Sequence, residues 1–184
     1  MFSTVIQSLI QEVKSTLLSD KKVRVLVQRE DLIHPYVSGN KWRKLKYNLL
    51  EAQQEGCAKV LTFGGAFSNH IIATAAAATE MKMQSIGLIR GEEGLLLNPT
   101  LAQAKAFGMS FQYIGRETYR EKSNFNWDQK FPDCYIIPEG GTNSLAVKGC
   151  EEIIQDNDFD VVCCACGTGG TIAGIINSLN PQQK

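Results

Sequence analysis

The sequence predicts an α/β protein in which mainly parallel strands carry helices on both faces. Short β-rich or apolar segments alternate with longer helical patterns from residue 23 onwards, as they do in folds built on a parallel sheet. Two of the predicted strands, at residues 60–63 and 160–165, run directly into glycine-rich turns. Ligands of open α/β sheets bind at the carboxyl ends of strands, so these turns are the first candidates for a functional site.

The composition is that of an ordinary globular chain. Hydrophobic residues make up 43% and charged residues 21% of the 184 positions, and this length suits one domain or slightly more. The 19 lysines and arginines are balanced by 19 acidic residues, so we expect neither nucleic acid nor a membrane as a partner. The longest apolar run, residues 161–176, is broken by glycines and is shorter than the roughly 20 residues of a transmembrane helix.

The first 18 residues are expected to form an amphipathic helix and not a signal peptide. The segment does not begin with basic residues, and polar residues break up its apolar stretch, so it lacks two features of a signal peptide. The apolar residues recur at helical spacing, namely Val5, Ile6, Leu9, Ile10, Val13 and Leu17.

The rest of the chain alternates between the two kinds of element. The helix predicted at residues 40–55 has an apolar stripe of Trp42, Leu45 and Leu49 and is stopped by Gly56. Residues 115–132 give only weak signals. Strands are predicted at residues 23–27, 60–63, 85–89, 110–114, 135–137 and 160–165, and helices at 40–55, 68–81, 99–107, 145–155 and from 171.

The glycine-rich segment at residues 166–171 (CGTGGT) joins a predicted buried strand to a helix. Glycines let several backbone N–H groups converge, and the helix N-terminus behind them favours an anion such as a phosphate. The segment matches neither a Walker A loop nor the dinucleotide fingerprint, whose third glycine position holds Ile172. A tight turn that binds nothing is an equally good interpretation of this segment alone.

A second loop, at residues 64–70 (GGAFSNH), follows the strand predicted at residues 60–63. Its polar side chains could face the same crevice as the 166–171 segment. Ser68 or Asn69 could instead simply cap the following helix, which is the commoner role of such residues. His70 fits a structural histidine as well as it fits a substrate contact.

Lys41 lies in a basic stretch, residues 38–46 (SGNKWRKLK). Composition alone favours a solvated basic helix face, because lysines are rarely buried. Lys41 is nevertheless unusual, since it falls in the first helical turn, where the helix dipole disfavours a cation. A lysine held there away from water would have a lowered pKa and a nucleophilic amine.

The six cysteines are interpreted as free thiols in a reducing cytoplasm. Cys163, Cys164 and Cys166 crowd into one apolar stretch, which is a poor framework for disulfides. They are not expected to bind a metal either, because no second Cys/His cluster supplies the remaining ligands.

Five motifs, in this order and at these spacings, resemble the 1-aminocyclopropane-1-carboxylate (ACC) deaminase/D-cysteine desulfhydrase family of pyridoxal-phosphate (PLP) enzymes. The resemblance runs from about residue 23 to the last residue and implies the tryptophan-synthase-β-like PLP fold. Residues 28–31 are QRED, whereas the family usually has KRDD. This difference affects no residue with an implied catalytic role. The motifs are residues 29–32 (REDL), 38–45 (SGNKWRKL), 64–70 (GGAFSNH), 137–143 (IPEGGTN) and 166–171 (CGTGGT).

The resemblance implies a role for each candidate site residue. Lys41 would hold PLP as a Schiff base and later move a proton, and Ser68 would supply an acid/base or nucleophilic hydroxyl. Asn69 would hydrogen-bond the 3′ oxygen of PLP, and Ser68, Asn69 and His70 would lie in the loop that receives the substrate. The residues implied for the cofactor phosphate are Lys44, Gly167, Thr168, Gly169, Gly170 and Thr171.

The resemblance also implies the organisation of the protein. Residues 1–44 and 133–184 would belong to a larger PLP-binding domain, and residues 45–132 would form a smaller inserted α/β domain. Family members continue beyond this point, so we expect the fold to be C-terminally incomplete, and residues 1–184 alone to be poorly stable and catalytically weak. Full-length members are expected to be cytoplasmic homodimers.

The implied reaction is removal of ammonia from a small amino acid. D-cysteine would give pyruvate, sulfide and ammonia, whereas ACC would give 2-oxobutanoate and ammonia. The sequence does not separate these substrates, because the discriminating tyrosines lie in the C-terminal third of the family. Two other interpretations stay open, namely a PLP-binding fragment or pseudoenzyme without turnover, and a nucleotide-binding α/β module without PLP.

Overall fold

The computed structural model describes residues 6–94, 96–154 and 158–184. Its strands are β1 (Leu9–Val13), β2 (Val25–Arg29), β3 (Lys59–Gly65), β4 (Gln84–Arg90), β5 (Ser110–Ile114) and β6 (Cys134–Ile137). Its helices are α1 (Thr16–Lys21), α2 (Asn40–Gln54), α3 (Asn69–Glu80), α4 (Pro99–Ala106), α5 (Arg116–Arg120), α6 (Trp127–Lys130), α7 (Ser144–Cys150) and α8 (Gly170–Ser178). Short 3₁₀ turns lie at Glu30–Leu32, Lys122–Asn124 and Glu139–Gly141.

The main sheet has four parallel strands in the order β5-β4-β3-β6. Val60 of β3 and Ile137 of β6 pack against helices α2 and α3 on one face. On the other face Leu61 and Phe63 of β3 pack against Tyr119 of α5 and Trp127 of α6. The predicted α/β class, with a parallel sheet and helices on both faces, is therefore confirmed.

The N-terminal segment departs from the predicted amphipathic helix. Residues 1–5 of that prediction lie outside the described residues, and from Leu9 to Val13 the chain is a strand antiparallel to β2. Leu9 and Val13 are 61% and 41% exposed, so no helical apolar face is buried there. The prediction was wrong because β2 offers backbone hydrogen-bond partners that local periodicity cannot reveal, and these outweigh a weak helical propensity.

The strand predicted at residues 160–165 is also absent. A buried parallel strand needs neighbours on both sides, and no strand of the described chain lies beside this segment. The backbone of this segment instead forms two hydrogen bonds with the backbone of Lys184. Val162 N–H donates to Lys184 O at 2.7 Å, and Lys184 N–H donates to Asp160 O at 3.0 Å. The helix predicted at residues 145–155 is shorter too, since α7 ends at Cys150 and residue 155 lies outside the described residues.

The described part of the chain holds no helix that is both long enough and apolar enough to cross a membrane. All six cysteines are free thiols. No group of three or more potential metal ligands is found among the described residues.

Candidate active site

A cavity of about 200 Å³ lies between the first turn of α2, the turn at residue 140 and the loop that precedes α8. Three segments that are far apart in sequence meet there; each contains one of the five motifs, and two of them were assigned a role from the sequence. The residues that line the cavity are Asn40, Lys41, Lys44, Gly140, Ala165, Cys166, Gly167, Thr168, Gly169, Thr171 and Ile172.

Lys41 presents its amine to this cavity. Its Nζ donates to the carbonyl oxygen of Gly140 at 3.2 Å. Burial, followed by the positive charge of Lys44, lowers the pKa of Lys41 from 10.5 to about 8. The neutral amine, which is the nucleophilic form, is therefore accessible near neutral pH.

The basic stretch around Lys41 is not a solvated helix face. Arg43, Lys44 and Lys46 are 0%, 2% and 5% exposed. Arg43 donates two hydrogen bonds to the carboxylate of Glu30, at 2.8 and 2.9 Å. Lys46 reaches Glu152 at 2.6 Å. These buried pairs fix α2 against the chain on both sides of it, so the position of the Lys41 backbone is set by a rigid element.

Lys44 connects α2 to the other two segments of the site. Its Nζ donates to Thr142 Oγ1 at 2.9 Å, to Thr168 Oγ1 at 3.2 Å and to Gly140 O at 3.4 Å. Burial lowers the pKa of Lys44 as well. Lys44 thus donates to three protein oxygen atoms. An oxygen of a bound anion could become a further acceptor, or could take the place of one of the three.

The loop before α8 has the features of an anion site. Gly169 has a φ of +84° and lies at the N-cap of α8 without a side-chain cap, so the first N–H groups of this nine-residue helix are free of intrahelical partners. Asn40 fixes the loop through a 2.8 Å hydrogen bond to Thr171 Oγ1. A Cβ added at Gly167 or Gly169 would meet nothing within 4 Å. Backbone amides, hydroxyls and the Lys44 ammonium are a donor set that fits a phosphate.

Ser68 is the N-cap of α3, as the capping interpretation predicted. Its Oγ accepts a hydrogen bond from the backbone N–H of His70 at 3.2 Å. Because the hydroxyl acts as an acceptor there, its own proton stays available for another partner. The neighbouring Asn69 side chain is exposed and makes no hydrogen bond within the described residues.

His70 lies beneath this loop and not in it. Its ring is buried, with Nε2 at 2.8 Å from Thr62 Oγ1. The Thr62 hydroxyl donates its single proton to Ile137 O at 2.9 Å, so Nε2 of His70 must be the donor. Burial, followed by the charges of Lys41 and Lys44, lowers the pKa of His70 to about 3. The neutral ring joins α3, β3 and β6, and its buried Nδ1 has no hydrogen-bond partner within the described residues.

The family profile described as "Pyridoxal-phosphate dependent enzyme" matches residues 11–183. The chain belongs to this family. It is 36% identical over 164 residues to a putative ACC deaminase of Thermotoga maritima, covering 82% of this chain and 52% of that protein. It is 33% identical to a bifunctional D-cysteine desulfhydrase/ACC deaminase, mitochondrial, of Arabidopsis thaliana, covering 81% and 43%.

A solved structure described as an ACC deaminase homologue superposes with a TM-score of 0.77 at 27% identity, covering 96% of this chain and 59% of that one. The chain thus spans about half the length of the curated relatives that it matches. The resemblance inferred from the five motifs is confirmed, as is PLP as the cofactor of the family. A nucleotide-binding module without PLP does not fit these findings.

The structure also shows site residues that the sequence did not single out. Asn40, Gly140 and Thr142 contact the site lysines or the loop before α8. Gly140 and Gly141 have φ values of +67° and +74°, and a Cβ on Gly141 would lie 3.2 Å from the His70 ring and 3.4 Å from Lys44 Cβ. The signal was the paired glycine in residues 137–143, which we used for the resemblance without assigning it a role.

Proposed function

We propose that the whole protein is a PLP-dependent enzyme that removes ammonia from a small amino acid. The observation that carries this proposal is the buried amine of Lys41, with a pKa of about 8, beside a loop that fits a phosphate. The printed names of the relatives support two substrates, D-cysteine, which would give pyruvate, sulfide and ammonia, and ACC, which would give 2-oxobutanoate and ammonia.

PLP, when bound, supplies an electron-accepting ring that weakens the bonds at the α-carbon of the amino acid. In this chain Lys41 would be the covalent anchor, and residues 167–171 with Lys44 would hold the phosphate. Burial and the charge of Lys44 bring the pKa of the Lys41 amine down to about 8, close enough to neutral pH for the amine to accept and return a proton. Ser68 has a free hydroxyl proton, and the unpartnered amide of Asn69 would face the cofactor ring.

We further propose the two-domain division, with the smaller domain at residues 45–132. The pairing of β6 (Cys134–Ile137) with β3 in one sheet supports moving the second border of the smaller domain from residue 132 to a position after Ile137. Hydrolase activity on ACC, a homodimeric assembly and a cytoplasmic location are parts of the same proposal. Free thiols throughout the chain support a reducing compartment.

The direct test is to map the cofactor in the full-length protein. We expect borohydride to fix a pyridoxyl group on Lys41, and Lys41→Ala to lose both the visible absorbance and the release of keto acid. Lys105→Ala, at an exposed position of α4, is the matched control and should behave like the wild type. A pyridoxyl group on Lys44 or Lys46 would contradict the assignment, and a labelled Lys41 without turnover would indicate a PLP-binding protein that is not an enzyme.

A further inference from the structure

A second and larger cavity, of about 660 Å³, opens where β3 and β4 end. One side is the turn at residues 65–67 and another is Arg90, the last residue of β4. Helix α5 and the turn after it supply Arg116, Arg120 and Lys122, and Glu139 completes the lining. The cavity is therefore rich in cations, unlike the chain as a whole, whose charges balance.

Three of these cations have no carboxylate partner. Arg90, Arg116 and Arg120 form no ion pair or side-chain hydrogen bond within residues 6–94, 96–154 and 158–184. Arg116 and Arg120 lie one turn apart on α5, a spacing at which like charges destabilise a helix. The guanidinium of Arg90 is held over the ring of buried Tyr119, at 5.8 Å from its centroid. All three arginines are exposed, so solvent screens their mutual repulsion and their guanidinium groups are open to a bound anion.

The single carboxylate of the cavity, Glu139, offsets only part of this positive charge, although Arg90 does contribute to lowering its pKa. Glu139 forms an ion pair with Lys122 at 3.0 Å and accepts a 2.8 Å hydrogen bond from the Tyr119 hydroxyl. The other acidic residues of this helix and the turn after it, Glu117 and Glu121, do not line the cavity. An excess of three positive charges remains for a ligand.

The cavity adjoins the candidate active site through two segments. Glu139 is followed directly by Gly140, whose carbonyl accepts the hydrogen bond from Lys41, and consecutive Cα atoms are only about 3.8 Å apart. The turn at residues 65–67 is likewise followed by Ser68. A ligand in this cavity would lie against the same two turns that border the reacting groups.

We propose that this cavity binds a second anionic group on the amino-acid substrate, a phosphate or a sulfonate carried by its side chain. The inference rests on the proposed function, because it names a substrate class for the same site. Guanidinium groups bind tetrahedral oxyanions through paired hydrogen bonds, and three of them are more than enough to balance the charge of about −2 on a phosphate ester. The cavity also falls within the usual volume range of small-molecule sites.

The corresponding reaction of a phosphate ester is a β-elimination. The α-carbon loses its proton, the bond from the β-carbon to the ester oxygen breaks, and phosphate leaves with the electron pair. Water then hydrolyses the remaining unsaturated amine to pyruvate and ammonia, so that no oxidant or reductant is required. The arginines would bind the leaving group as its charge develops.

The experiment uses the full-length, PLP-loaded protein with both enantiomers of O-phosphoserine and with D-cysteine. The variant Arg116→Gln/Arg120→Gln removes two exposed charges and should fold normally. We expect its KM for the reactive phosphoserine enantiomer to rise at least tenfold, as the loss of charged hydrogen bonds implies, with the KM for D-cysteine changed less than twofold. Arg120→Lys should restore part of the loss, and Lys105→Gln should change neither constant.

Binding is measured separately from turnover, by calorimetric titration of O-phosphoserine, serine and inorganic phosphate into the Lys41→Ala protein. Phosphoserine binding that depends on the arginines, together with a wild-type protein that releases no keto acid from any of the amino acids, would support this inference while the proposed function fails. Normal D-cysteine turnover with an unchanged phosphoserine KM in the double variant would overturn the inference. So would inorganic phosphate that binds as tightly as phosphoserine without competing with D-cysteine, since the cavity would then bind a free anion.

Discussion

Lys41 shows how the surroundings of a single residue determine its chemistry. Lys41 and Lys44 have the same side chain and lie one turn apart on α2, yet only Lys44 contacts hydroxyl groups on two other segments. Lys41 has one carbonyl partner and a positive neighbour. The motif identified Lys41 by resemblance, but the burial that lowers its pKa depends on residues 140 and 165–172, which no local pattern could place beside it.

The lowered pKa of Lys41 predicts a pH-dependent cost to the PLP-free protein. Below about pH 8 the folded state holds a partly buried charge and bears the full cost. As pH rises from the pKa of Lys41 in the folded protein towards its pKa in the unfolded chain, the cost falls. The reason is that the folded protein then releases the proton while the unfolded chain still holds it. Lys41→Met should therefore raise the free energy of unfolding at pH 7 by about 1–3 kcal/mol, with a smaller gain at high pH. Urea denaturation at several pH values checks this, and a gain independent of pH would contradict it.

Ser68 combines a capping role with a proposed catalytic one, and substitution can separate them. Loss of a cap costs about 1 kcal/mol of stability, whereas loss of a proton-transfer group costs roughly 100-fold or more in rate. We expect Ser68→Ala in the full-length enzyme to bind PLP nearly normally and to release keto acid far more slowly. Ser15→Ala removes the corresponding cap of α1 and should cost stability alone. Full activity in the Ser68→Ala variant would show that Ser68 only caps α3 and has no part in catalysis.

At the scale of elements, the predictions succeeded where the signals are local. β5 lies where it was predicted, at Ser110–Ile114, and α2 and α4 each end two residues before their glycine stops. The failures were at residues 9–13, which form a strand instead of a helix, and at residues 160–165, which form no strand. There the outcome depends on which distant backbone supplies hydrogen bonds, and hydrophobic periodicity carries no information about a partner.

The contact between α7 and α2 predicts a large effect of a small substitution. A Cβ on Gly149 would overlap the backbone carbonyl of Arg43, so one helix must move. We expect Gly149→Ala to destabilise the protein by about 1–3 kcal/mol or more and to weaken PLP binding, because α2 carries both Lys41 and Lys44. Gly115→Ala is the matched control, since a Cβ there meets nothing within 4 Å. Equal stability of the two variants would show that α7 adapts without disturbing α2.

On the scale of the whole molecule, the site forms where three segments from distant parts of the sequence converge. All three carry one of the five motifs, at residues 38–45, 137–143 and 166–171, although only the first and last were assigned a role, and the family implied by the motifs was confirmed. Their mutual geometry was not predictable, because Lys44 connects them through Thr142 and Thr168. Thr168 was predicted as a phosphate ligand and Thr142 lies in a motif, but only the packing of α2 against α7 and α8 brings both hydroxyl groups within hydrogen-bond distance of Lys44.

The same arrangement predicts how backbone protection varies along the chain. β3 is buried on both faces and paired on both sides, so its amides should exchange with solvent most slowly. Residues 160–166 form no strand and bond mainly to Lys184, so their amides should exchange quickly. Addition of PLP should slow exchange at residues 167–171, because the phosphate would bind their N–H groups.

Hydrogen–deuterium exchange with mass spectrometry, with and without PLP, measures this pattern directly. Lys41→Ala separates the two contributions, since the phosphate loop should still gain some protection from PLP when the covalent anchor is lost. Protection that appears only around Lys41, with residues 167–171 unchanged, would mean that the cofactor phosphate lies elsewhere. In that case the free amides at the start of α8, the Lys44 ammonium and the threonine hydroxyls would belong to a helix junction rather than to a cofactor site.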